Sequence, residues 1–378
     1  MENLVRREVF QTAETVVVKI GTNVLTRDDE SLDLDRIKSI AEQIHRIRET
    51  GRKVVLVSSG AVGAGMRVLG LSKRPSDLPH LQAAAATGQA HLIRLYDDCF
   101  RKHDFHAAQL LLTANDFRQR NRYLNVRNTL LTLFEYNVVP VVNENDTVSI
   151  EEIRFGDNDR LAAMLVNLLP SPVLIILSTV DGLYDGDPDL PETRLMDQVT
   201  DWSDNIFEMV MSGTSSGGTG GMESKLQAVK SVVSTGESVV IANGQSDRIL
   251  DRIMTGETVG TLFPAQGTTI PAWKRWIGYT LSPTGAFTVD DGAFTALSRQ
   301  GGSLLAIGIT HVEGQFEAGA VVAMKDASGN EFARGLCNYS AAECLQIAGK
   351  RTDEIRTMLG SLPYDEVIHR DNLVVLAQ

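Results

Sequence analysis

The 378-residue chain is poor in cysteine and aromatic residues, with three Cys and 6% Phe, Trp and Tyr. It also has no apolar run approaching the 18 or more residues of a membrane span. Cys99, Cys337 and Cys344 show neither C-x-x-C spacing nor His partners at metal-ligand spacing, which speaks against a zinc site or a disulfide framework. They are expected to be reduced and mostly buried. The opening stretch MENLVRREVFQTAE lacks the continuous apolar core of a signal peptide, so a cytoplasmic protein is expected. Basic charge is scarce as well: 36 Lys and Arg stand against 48 Asp and Glu, a net of −12. That balance disfavours a nonspecific nucleic-acid binder, which must neutralise phosphates. It does not exclude a small anionic substrate, because a local cluster of lysines and amides can outweigh the global field. Finally, no His or Cys constellation for nucleophilic catalysis is evident. The seven histidines are read as scattered over helices and loops.

What is present is an ordinary globular composition, 43% hydrophobic and 22% charged, in a chain long enough for two domains. From about residue 14 to 255, strand-like runs alternate with amphipathic helical stretches. The strands are TVVVKI (15 to 20), KVVLVS (53 to 58), AAQLLL (107 to 112), NVVPVVN (137 to 143), PVLIILS (172 to 178) and SVVIAN (238 to 243). Helices are expected over 34–49, 80–103, 122–136, 159–169 and 225–236. This alternation predicts an α/β fold, a mainly parallel sheet sandwiched between two helical layers. After about residue 262, three prolines and short β-like pieces separated by Gly, Asp and Asn turns predict a small, mostly β second domain.

In a parallel sheet ligands bind at the carboxyl ends of the strands, so those ends are where chemistry is sought. The first strand ends in Lys19, followed by Gly21 and Thr22. After the second, Ser59 and Gly60 open a helix and suit an anion. The small residues Gly63 and Gly65 beyond them are read as close packing of that helix on the sheet. The fourth strand runs into Asn143, Glu144, Asn145 and Asp146, polar groups suited either to a substrate or to an ordinary turn. In RFGDNDRLAA, Asp157 and Asn158 precede Asp159, more acid than an N-cap needs. STVDGLYDGDP follows the fifth strand and could border a nucleotide through Ser178 and Thr179. The stretch GTSSGGTGGMESK (213 to 225) is either a slack linker or a phosphate cradle, and the helical pattern after it favours the cradle. It is not the usual P-loop, because Ser224 rather than Gly precedes Lys225. Two lysines, amides and no general base suit phosphoryl transfer to a carboxylate, which with a pKa of about 4.3 is already ionised at neutral pH.

In order and spacing, VVVKIGTNVLT, VLVSSGAVGAG, VPVVNENDTV, FGDNDRLAA, DGLYDGDP and GTGGMESKLQAV resemble the signatures of the glutamate 5-kinases, members of the amino acid kinase family. The resemblance implies a kinase domain over 1–265 and a PUA-like domain over 276–378. It also implies ATP- and Mg²⁺-dependent phosphorylation of the γ-carboxylate of L-glutamate, the first step of proline synthesis, with feedback inhibition by proline. By the same resemblance, Lys19 and Lys225 hold the transferring phosphoryl group and Asp159 orients them. Ser59, Gly60, Asp146, Asp157 and Asn158 bind glutamate, with Asp157 near its amino group. Lys19, Ser178, Thr179 and the run Thr219, Gly220, Gly221, Met222, Glu223, Ser224 and Lys225 lie along ATP, whose phosphates carry the metal. The Gly/Ser stretch becomes an active-site loop that orders with nucleotide. Two places depart from the pattern: STVDGLY replaces a Thr-Asp pair, and Glu223, expected to point outward, stands where a small residue is common. Other acceptors remain open on the same fold, namely acetylglutamate, aspartate, carbamate or a nucleoside monophosphate. A homo-oligomer, dimer or tetramer, and a separate glutamyl phosphate reductase that takes over the labile product are further implied partners. The PUA-like tail raises RNA as a partner, but residues 271–378 hold nine Lys and Arg against twelve Asp and Glu. RNA binding would have to rest on a local basic face around Lys274 and Arg275.

Overall fold

The computed structural model describes residues 4–27, 31–148, 158–188, 190–200, 219–266, 272–359 and 364–376. The chain forms two compact units, Met1–Thr269 and Ile270–Gln378. In the first, seven strands form one sheet in the order β3-β4-β2-β1-β5-β6-β7. They are β1 (Thr15–Ile20), β2 (Lys53–Ser58), β3 (His106–Leu112), β4 (Val138–Glu144), β5 (Pro172–Ser178), β6 (Ser238–Asn243) and β7 (Thr261–Phe263). Every neighbouring pair is parallel except β6 with β7. β7 has no counterpart in the sequence reading, since three residues are too few for a periodic signal.

The Val, Ile and Leu runs of β1 and β5 carry no polar face because helices cover the sheet on both sides, and all six residues of β1 are buried. The helix Leu34–Glu49 starts where the Asp33 carboxylate accepts the amides of Asp35 and Arg36, and it turns Ile37, Ile40, Ile44 and Ile47 inward. The helix Leu78–Phe100 starts at Asp77, whose side chain accepts from the His80 amide. At the far end of the chain fold, Arg6 is fully buried in the helix Leu4–Thr12. Its guanidinium donates to the carbonyls of Asp197, Glu257, Val259 and Gly260, which fastens this helix to the loops beside β7.

The second unit is built on a five-stranded sheet in the order β12-β11-β10-β8-β9. Its members are β8 (Gly285–Val289), β9 (Ile309–Gly314), β10 (Val321–Lys325), β11 (Glu331–Leu336) and β12 (Leu373–Val375). Only β8 with β10 is parallel. Phe287, Leu297, Val322, Met324 and Ile368 belong to a core of its own. Cys337 and Cys344 sit in that core as free thiols, their sulfurs 3.6 Å apart, while Cys99 is half-buried in the first unit. No helix among the described residues is long and apolar enough to cross a membrane.

The helix Ala61–Val68 corrects one expectation. Gly65 serves a helix neighbour rather than the sheet. A Cβ placed on Gly65 would lie 1.7 Å from the Ala84 carbonyl oxygen, and one on Gly88 would lie 1.8 Å from that of Ala61. The helices Ala61–Val68 and Leu78–Phe100 therefore cross backbone against backbone. Such an approach is open only to glycine, and backbone cannot yield as a flexible side chain can. We expect Gly65→Ala to lower stability by about 3 kcal/mol, the upper end of overpacking costs. A urea midpoint within error of the parent would show that the two helices can separate freely.

Candidate active site

Register brings the carboxyl ends of the central strands level. Ile20 of β1 pairs with Ser58 of β2 and Leu177 of β5, and Ser178 of β5 pairs with Asn243 of β6. The chain leaves β1 towards β2 on one side while β5 flanks it on the other, so the crevice between them opens beyond Ile20. Just past it, the Gly21 amide donates to the Leu177 carbonyl at 3.0 Å. A Cβ at Gly21 would meet the Leu177 carbonyl oxygen at 3.4 Å and the Lys19 ammonium at 3.8 Å, ordinary contact distances beside the lysine.

Three elements meet at one carboxylate. Asp159, in the first turn of the helix Asn158–Val166, takes the Lys19 Nζ on Oδ1 at 2.7 Å and the Lys225 Nζ on Oδ2 at 3.2 Å. The side chains of Lys19, Asp159 and Lys225 are 6%, 4% and 13% exposed, so the group is nearly dry. Two ammonium groups on one carboxylate leave a net single positive charge. Burial strengthens its pull on an incoming anion. Lys225 also donates to the Gly221 carbonyl at 3.1 Å, one turn back in its own helix.

Beside this triad lies a chain of hydrogen bonds whose polarity can be worked out. The Glu144 amide donates to Asn143 Oδ1, an atom that can only accept, which settles the orientation of the Asn143 side chain. Asn158 Nδ2 then donates to Asn143 Oδ1 at 2.9 Å and to Ser59 Oγ at 2.8 Å, using both its hydrogens. Two consequences follow. Ser59 accepts here and keeps its own O–H to give. Asn158 Oδ1 is buried and accepts no hydrogen bond from the described residues. A hydroxyl donor suited to a carboxylate and a carbonyl suited to an N–H donor thus sit on directly bonded partners, Ser59 and Asn158. Next in the chain, Gly60 has φ +98°, the left-handed region, and turns β2 into the helix Ala61–Val68.

The structure thus joins Lys19, Lys225, Asp159, Asn158 and Ser59 through direct contacts, with Gly60 adjoining. Asp146 lies half-buried in the turn after β4, and Asp157 falls outside the described residues. Ser178 ends β5 half-buried, its carbonyl accepting the Gly244 amide at 2.8 Å, and Thr179 is exposed. The run from Thr219 differs from the expected loop. Thr219, Gly220 and Gly221 already form the first turn of the helix Thr219–Val233, six residues earlier than the apolar pattern suggests. The remainder of the Gly/Ser stretch, 213–218, lies outside the described residues. Met222 and Ser224 are half-buried. Glu223 accepts a hydrogen bond from exposed Gln227 one turn on, along the helix rather than towards Lys225. His106 and His311, expected on helices or loops, are exposed on β3 and β9. Asn143 is a site residue that pattern reading left undecided between substrate contact and turn. Its burial at the tip of a strand, 5% exposed, decides against the turn.

Residues 14–243 match the Amino acid kinase family and residues 285–359 match the PUA domain. A glutamate 5-kinase from Rhodopirellula baltica is 46% identical over 98% of this chain and 96% of its own length. One from Caldanaerobacter subterraneus subsp. tengcongensis is 45% identical over 96% and 97%. Among solved structures, a carbamate kinase from Giardia lamblia bound to AMP-PNP is similar at TM-score 0.47 and 20% identity, over 68% of this chain and 100% of that one. With a parallel sheet crevice, two lysines on one buried aspartate and near full-length kinship, the chain belongs to the amino acid kinase family, among the glutamate 5-kinases.

Proposed function

We propose that this chain transfers the γ-phosphoryl group of ATP to the γ-carboxylate of L-glutamate, giving L-glutamyl 5-phosphate and ADP, the first step of proline biosynthesis. The observation that carries the reading is the buried Lys19–Asp159–Lys225 group next to the Asn158–Ser59 pair, cations suited to phosphate beside polar groups suited to an amino acid. A carboxylate oxygen attacks the γ-phosphorus while the bond to the ADP oxygen breaks, and no proton changes hands. That agrees with a site whose polar groups are cations and amides rather than a general base. Lys19 and Lys225 neutralise charge on the transferring oxygens, and Asp159 holds both ammonium groups in place before ATP arrives. The first turn of the helix Thr219–Val233 offers its backbone amides to phosphate, with Ser178 and Thr179 towards the base. Ser59 O–H and Gly60 bind a carboxylate of glutamate. Asn158 Oδ1 accepts from the α-ammonium, with Asp146 and Asp157 adding negative charge on that side. Mg²⁺ travels on the ATP phosphates, since Asp159 is committed to the lysines, and when bound it supplies further charge neutralisation.

The kinship also supports inhibition by proline, a homo-oligomer, transfer of the labile product to a separate reductase, and a cytoplasmic location. RNA has the weaker case, given the acidic balance of residues 271–378.

With ATP, Mg²⁺, hydroxylamine and each acceptor in turn, we expect γ-glutamyl hydroxamate from L-glutamate and none from N-acetylglutamate or aspartate. Turnover on another acceptor alone would keep the phosphate lysines and overturn the amino-acid site. Lys225→Ala should lower kcat by about 10² or more with little change in glutamate KM, as for loss of one transition-state donor. Near-normal turnover would remove Lys225 from the mechanism. Asp159→Asn leaves two buried ammonium groups facing each other and should cost about 3 kcal/mol of stability as well as activity. A variant with the parent's denaturation midpoint would show that the lysines do not need their counter-charge.

A further inference from the structure

Behind the substrate edge lies a hydrogen-bonded relay that the phosphoryl chemistry does not itself use. Tyr96, on the helix Leu78–Phe100, is fully buried, and its hydroxyl lies 2.9 Å from Ser58 Oγ, also fully buried. Ser58 Oγ in turn donates to the Ser59 carbonyl at 3.2 Å. A serine hydroxyl has one hydrogen, so Ser58 spends it on that carbonyl and must accept from Tyr96. The relay therefore runs one way, from the Tyr96 O–H to the Ser58 O–H to the Ser59 C=O. Burial pushes the Tyr96 phenol well above its ordinary pKa, so it remains a hydrogen donor throughout the working range of pH.

The consequence lies in the next peptide bond. The unit joining Ser59 to Gly60 is planar and trans, so its C=O and N–H point in opposite directions. Drawing the Ser59 carbonyl towards Ser58 therefore sets the Gly60 N–H pointing the opposite way, away from Ser58. No acceptor among the described residues takes that N–H. Gly60 itself, at φ +98°, lacks a side chain that would resist rotation of the peptide. Something else must hold it. The same helix that carries Tyr96 also carries Gly88, whose close crossing with Ala61 and Gly65 sets the helix that Gly60 opens.

We propose that Tyr96 is a positioning residue: through Ser58 it turns the Ser59–Gly60 peptide so that the Gly60 N–H and the Ser59 O–H meet a carboxylate of the amino-acid substrate together. The inference rests on the substrate reading above and adds a residue about 36 positions downstream that no local motif marks. It is specific to the acceptor, because the relay touches neither lysine of the phosphate site.

The test uses the full-length chain in the hydroxamate assay, with Tyr96→Phe, Ser58→Ala and the double variant. Tyr96→Phe keeps the ring in the core and deletes only the donor. We expect it to raise glutamate KM about tenfold, the loss of roughly one hydrogen bond's worth of orientation, with ATP KM and kcat within about twofold. The double variant should be no worse than Ser58→Ala, since both break the same relay. An unchanged glutamate KM in Tyr96→Phe would overturn the proposal. So would a parallel change in ATP KM, glutamate KM and kcat with a lowered melting temperature, the mark of a purely structural role. If the parent chain turns over a different acceptor and not glutamate, the substrate reading fails. The KM of that other acceptor in Tyr96→Phe then decides the relay by the same criterion.

Discussion

One buried carboxylate organises the catalytic end of this molecule. Asp159 sits where the end of β1 meets two helices, and it is the shared counter-charge for cations that come from opposite ends of the kinase sequence. Like charges so close in a dry crevice would repel at a cost no local propensity could offset. The carboxylate turns that repulsion into a preset site with one positive charge to spare. The rest follows from it. β1 must deliver Lys19 to its tip, the helix Thr219–Val233 must present Lys225 two turns in, and the helix Asn158–Val166 must begin beside both.

The neighbouring polar chain depends on the same helix start. Asn158 precedes Asp159, so the helix that places the carboxylate also places the amide that ties Ser59 to Asn143. The two residue groups proposed for phosphate and for the amino acid are therefore joined at one helix terminus. Behind them the close crossing of the helices Ala61–Val68 and Leu78–Phe100 provides rigidity, because backbone packed on backbone leaves little room for adjustment. A substrate edge with a flexible glycine at its turn is held by a stiff support beneath it.

Much of this was legible in the chain. Five strands could be read from Val- and Ile-rich runs, since strands buried on both faces need no alternation, while the edge strand β3, partly exposed, was read from its Ala and Leu residues. Lys19, Ser59, Asn158, Asp159 and Lys225 could be chosen because each stands at a strand end or a helix start, where a ligand can reach backbone and side chain alike. Less legible were features with no period. β7 is three residues long and pairs antiparallel. The helix that carries Lys225 begins within a glycine tract whose composition suggests coil, since glycine costs a helix about 1 kcal/mol per residue. Gly63 and Gly65 signalled close approach but were read as packing on the sheet, whereas Gly65 meets the helix Leu78–Phe100.

The sequence by itself determined the order of strands and helices, the two-part organisation and the residue types at the catalytic edge, because these follow from local hydrophobic period and from chemistry at element ends. Tertiary structure alone decided which of those residues touch. That Lys19 and Lys225, some two hundred positions apart, share one carboxylate is a property of how the sheet is wound. The orientation of the Asn158 amide, the hydrogen left to Ser59 and the reach of Tyr96 to Ser58 depend on donors and acceptors from separate elements. Hydrogen-bond direction is settled only when every neighbour is in place, and no stretch of the chain contains all of them.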